Sequence, residues 1–189
     1  MGRRKSHRKK RELKKSYIIL VDGQSEIVYF NLIKSSNIQV LPEIPKHKSL
    51  GDMYRLFKEK LTQADRVFWV IDVDVVIKEN KVSVLKDYLK NYPDNIILNN
   101  PCLEYWFYLH YEVSGNFPNR CDSVIDALKK IDSSFMNSKS PKYIEQVVKK
   151  LSDKIDIACR NAKSRRCDLE EMKSCSSMYK IIEEFESVN

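Results

Sequence analysis

Glycine is scarce in this 189-residue chain, with only four in all. No Gly/Ser/Pro-rich stretch divides it, so linker-joined domains are excluded and one well-buried core is expected. No apolar run approaches the roughly 20 residues a bilayer-spanning helix needs, which argues against a membrane or secreted protein and for a cytoplasmic one. The five cysteines, Cys102, Cys121, Cys159, Cys167 and Cys175, are odd in number and contain no Cys-x-x-Cys pair. They read as reduced thiols, and Cys167 with Cys175, lacking a nearby histidine, makes a poor zinc site. Internal repeats are absent, as is low complexity beyond the N-terminus.

Positive charge is plentiful but unevenly spread. The formal net charge is +8, and residues 1–15 alone hold nine Lys/Arg against Glu12, so the other 25 basic and 25 acidic residues balance. The chain is therefore a neutral body with a basic arm, residues 1–16. Arg3, Arg4, Lys5, Arg8, Lys9, Lys10 and Arg11 are candidates for sequence-independent phosphate contacts with nucleic acid; a solvated tail is the plain alternative. Arg160, Lys163, Arg165 and Arg166 form a second basic cluster, read as a phosphate contact or a solvated helix end.

The most informative stretch is Arg66 to Val76. Val67-Phe68-Trp69-Val70-Ile71 is apolar on both faces, as a central strand of a covered parallel sheet must be, and it runs into Asp72-Val73-Asp74. Extended chain has a period of two, so both carboxylates would face one side and could each give an oxygen to one Mg²⁺. Acids capping the following turn are the competing reading. A second strand, Tyr17 to Val21, also ends in acids, Asp22 and Glu26, with Gly23 allowing a tight turn into a helix that starts near Ser25.

The pattern continues with a strand at Asn37–Ile44, a helix at Ser49–Leu61 with Ser49 as N-cap, the Asp72 strand, a helix at Val82–Tyr92 and a strand at Asn95–Leu98. Alternating strands and helices predict an α/β fold with a mostly parallel sheet flanked by helices. Asn100-Pro101 reads as the N-cap and first position of a helix reaching Tyr111. That helix is apolar nearly all round, so Glu104 and His110 become buried polar groups in need of partners. For Glu104 a metal or substrate role is open; for His110 a hydrogen-bonded core histidine is the simpler reading. Helices at Ser123–Ile131, Lys142–Lys154 with a continuation to Lys163, and Ser176–Phe185 complete the chain, with a surface loop at Asn137–Ser140.

Several of these segments together resemble the RloB / abortive-infection AbiL type of protein. They are Ile18 to Glu26 with Tyr29-Phe30, Val70 to Asp74, Asn100-Pro101-Cys102-Leu103-Glu104-Tyr105-Trp106 through His110-Tyr111-Glu112, and Ser176 to Ile181. The resemblance implies a Toprim-like (Rossmann-like) core over 17–113 with a helical C-terminal part over 114–189. It also implies a nuclease cleaving RNA or DNA with Mg²⁺ or Mn²⁺, acting against phage beside a separate ATPase subunit. The implied metal ligands are Asp22, Asp72, Asp74 and Glu104, the implied catalytic acids Asp22, Glu26, Asp72 and Asp74, and His110 and Asn100 lend support. In Toprim proteins the first acid is usually Glu; Asp22 is shorter by one methylene, on the order of 1.5 Å. A catalytically impaired subunit that binds nucleic acid or an ATPase is therefore a second reading. A haloacid-dehalogenase-type phosphatase with Asp72 as nucleophile and Asp74 as acid/base is a third, and an Asp-x-Asp glycosyltransferase a fourth.

Overall fold

The structure, a computed structural model, describes residues 15–42, 48–111, 117–136 and 140–186. The arm residues Arg3, Arg4, Lys5, Arg8, Lys9, Lys10 and Arg11, together with Glu112 and loop residues 137–139, lie outside them.

Strands β1 (Tyr17–Leu20), β2 (Ile38–Leu41), β3 (Arg66–Asp72) and β4 (Ile96–Asn100) run parallel, and β5 (Cys175–Ser176) is added antiparallel. The order across the sheet is β2-β1-β3-β4-β5. From β1 the chain turns one way to β2, and from β3 the other way to β4. The carboxyl ends of β1 and β3 thus form the crevice at which strand order reverses, where open α/β sheets bind ligands.

Both faces of the sheet are covered, as the unbroken apolar run of β3 requires. Ile19, Phe68 and Val70 face one core with α1 (Gln24–Ile33), α5 (Leu103–Tyr108), α6 (Cys121–Ile131), α7 (Pro141–Leu151), α8 (Ile155–Lys163) and α9 (Tyr179–Glu186). Ile18, Trp69 and Ile71 face the other with α2 (Leu50–Lys60), α3 (Val73–Lys78) and α4 (Val82–Asn91). Ser49 caps α2, its hydroxyl accepting from the Asp52 N–H at 3.2 Å, and Ser140 caps α7 ahead of Pro141. A 3₁₀ turn, Ser152–Lys154, joins α7 to α8.

Four expectations are corrected. The chain beyond Asp72 is not extended: the ladder with β4 ends at Asp72↔Asn99, and Val73 and Val76, three apart, bury against the sheet as α3. Asn100 does not cap a helix, because it stays in the sheet opposite Cys175; α5 starts later, behind Cys102, and ends at Tyr108. Residues Cys175 and Ser176 form an edge strand rather than the start of the last helix. Finally, four cysteines are not free thiols. The packing of α6 on α5 joins Cys102 to Cys121, and the loop returning to β5 joins Cys167 to Cys175. Cys159 alone is free, its thiol pushed up to about 12 chiefly by burial.

Candidate acidic site

β1 delivers Asp22 to the crevice, and Gly23 occupies the N-cap of α1. Its φ of −108° and ψ of 159° are ordinary extended values, so no backbone freedom is needed there. Space is the reason instead: a Cβ on Gly23 would collide with the Glu26 carboxylate, which folds back over the turn. The glycine therefore places Glu26, a buried acid in the first turn of α1.

Asp72 is both the last residue of β3 and the N-cap of α3. Its carboxylate accepts the Leu103 N–H, while Oδ1 is buried with no hydrogen-bond partner. Desolvation first, then the charges of Glu26, Glu104 and Asp74, hold its carboxyl well above the usual carboxylate range. Asp74 lies one step into the helix. Asp72 is still extended and Asp74 is helical, so the period of two that would set both carboxylates on one side does not carry across the junction. The Asp74 N–H donates to the Pro101 carbonyl at 3.0 Å, and its Oδ2 accepts from Lys78 Nζ at 2.9 Å.

Glu104, in the first turn of α5, acts on Asp72 from the other direction. Cys121 Sγ lies 3.4 Å from Glu104 Oε2. As a disulfide sulfur it has no proton to donate, so this is a contact and not a hydrogen bond.

Asp22, Glu26 and Asp72 line one cavity of about 380 Å³. Its remaining walls include Ser25, Lys48, Leu50, Met53, Val75 and Val76, none of which sequence reasoning singled out. No spacing rule announces them, because they come from three helices and the segment before α2.

Asn100 and His110 stand apart from the acids. Asn100 Nδ2 donates to the Lys173 carbonyl at 2.9 Å, fastening the segment before β5. His110 is 2% exposed, its Nδ1 lies 2.9 Å from the Trp106 carbonyl, and its ring packs edge-on to Trp106. Burial lowers its pKa to about 4, so it stays neutral. In the second basic cluster, Lys163 pairs with Glu183 and Arg165 lies over the Phe117 ring.

A covered, mostly parallel sheet with a group of acids at its switch point defines an α/β protein with a candidate cation site. Beyond that class, a family model described as RloB-like protein matches residues 17–185, and the chain belongs to this family. No curated protein and no solved structure matches it.

Proposed function

We propose that the chain is a divalent-cation-dependent nuclease of Toprim type that cleaves RNA or DNA. The carrying observation is Asp72. A desolvated carboxylate oxygen without a donor, set among Glu26, Glu104 and Asp74, is costly to ionise unless a cation compensates it. Carboxylates are hard oxygen donors of the kind Mg²⁺ and Mn²⁺ take, so the residues fit the ion. Asp72, Glu26 and Glu104 would hold it, with Asp22 at the cavity wall and Asp74 partly neutralised by Lys78. The bound ion supplies charge neutralisation at phosphate oxygens. The chain's own residues do the rest: the Leu103 N–H fixes the Asp72 carboxylate, and Gly23 leaves room for Glu26.

Anti-phage action beside a separate ATPase subunit belongs to the same proposal and rests on the family alone. So does nucleic-acid binding by the basic arm, which rests on its charge. A non-catalytic binding subunit is the second reading, favoured by Asp22 in place of Glu. The phosphatase reading has less support, since Asp74, its acid/base, is engaged by Lys78.

The test is cleavage of labelled tRNA, single-stranded RNA, single-stranded DNA and plasmid in Mg²⁺, Mn²⁺ or EDTA, with and without an ATPase subunit of the kind this reading implies. Metal-dependent cleavage that falls by about 100-fold or more in Asp72→Asn is expected. Cleavage of none of them with the partner present, or equal cleavage by the variant, refutes the proposal.

A further inference from the structure

The cavity beside the acids is chemically divided. Its wall carries the acids Asp22, Glu26, Asp72 and Glu79 and, beside them, the apolar Leu50, Met53, Val75 and Val76 from α2 and α3. At about 380 Å³ it falls in the range of small-molecule sites, which pair apolar walls with a few placed polar groups.

The start of α1, a ten-residue helix, lines the same cavity. The first amides of a helix have no intrahelical acceptor and favour an anion. An independent feature points the same way. Ser25, 4% exposed, lines the cavity, and its Oγ is buried with no hydrogen-bond partner. A buried hydroxyl normally finds a partner, so this one is a donor awaiting an acceptor. Lys48 brings a positive charge to the same wall.

We infer that the cavity binds one nucleotide unit next to the cleaved phosphodiester. The neighbouring phosphate takes Ser25 Oγ and the charge of Lys48, and the base lies against the apolar side chains of the wall. This rests on the nuclease reading for the position of the cleaved bond, and it adds the substrate class. A base can occupy such an enclosure only when it is free of its complement, so the substrate is single-stranded or locally unpaired. The acids alone would serve a duplex equally well.

The experiment measures binding of the full chain to fluorescein-labelled 12-mers of DNA and RNA, as single strands and as blunt duplexes, by fluorescence anisotropy. Ca²⁺ replaces Mg²⁺ to suppress turnover, and about 0.2 M salt weakens unspecific contacts of the basic arm. Single strands should bind roughly tenfold tighter than duplexes or better, the scale of one seated base.

Val75→Phe fills the space against these apolar side chains from a partly exposed position on α3. It should abolish that preference while leaving the melting temperature unchanged. Lys48→Ala should weaken binding and reduce its salt dependence.

Equal binding of the two forms, or an unaltered preference in a normally melting Val75→Phe, overturns the inference. A protein that shows the preference and the Val75→Phe loss, yet cleaves nothing in Mg²⁺ or Mn²⁺, upholds the binding site and sinks the nuclease reading. The two failures are thus separable.

Discussion

Replacing Asp72 by Asn should stabilise the cation-free protein while removing its response to metal. Asn keeps the shape of Asp72 but withdraws one negative charge from among Glu26, Glu104 and Asp74. The folded protein holds this carboxyl well above its ordinary range, so in the window from about pH 4 upward it binds more protons than the unfolded chain. Stability therefore falls as pH rises through that window, and the variant should outlast wild type at pH 7 but not at pH 4. Relief of a crowded buried charge is worth roughly 1–3 kcal/mol. For a chain of this length each kcal/mol moves the midpoint by about 2–4 °C, giving a gain of about 2–12 °C in EDTA.

Metal distinguishes the two proteins. At a concentration 100 times its Kd a cation stabilises the state that binds it by about 2.7 kcal/mol, so wild type should rise by about 5–11 °C and the variant by almost nothing. Differential scanning calorimetry at pH 7 and pH 4, in EDTA and in Mn²⁺, reads all four values. A variant that melts lower than wild type in EDTA, yet gains as much from Mn²⁺, would show that the acids are structural and refute the reasoning.

Gly23→Ala should separate folding from chemistry. The backbone there suits alanine, which should leave stability unchanged or raise it by roughly 0.4–1 kcal/mol, while displacement of the Glu26 carboxylate by about 1 Å costs cleavage about 100-fold; melting curves and initial rates check both halves. Cys121→Ser opens a loop with a sequence separation of 19, which the chain-entropy account values at about 3 kcal/mol. Dithiothreitol also opens Cys167–Cys175, so reduced wild type and reduced variant should share one urea midpoint, and a wild type indifferent to reductant would deny the bond. His110 has its pKa lowered to about 4, so the unfolded chain binds the extra proton between about pH 4 and 6.5. Stability should fall by about 3 kcal/mol as pH drops through that window, and His110→Gln should lack this component.

The alternation of strands and helices was legible because burial dictates it: an unbroken apolar β3 and the stripes of α2, α6 and α7 are direct consequences of which faces the core covers. What escaped was decided by contacts between distant residues. Only Ser176 beside Asn99 extends β4 and makes an edge strand of two residues, and only the meeting of α5 with α6 turns Cys102 and Cys121 from thiols into a bond. The acids were named from their place at strand ends, and Glu26, Asp74 and Glu104 do act on Asp72. Their orientation was misjudged at Asp74, where the buried pair Val73 and Val76 imposes a helix that the preceding β-branched run concealed. That Ser25, Lys48 and Val75 line one cavity with the acids has no signature until the chain is folded.

Asp72 ends β3 and caps α3 with no residue to spare between them. A strand-to-helix junction without a loop cannot absorb an inserted or deleted residue. One added position in β3 would turn its side chains to opposite faces and carry the acid to the wrong side of the sheet. Related chains should accordingly vary in side chains along β3 but keep its length.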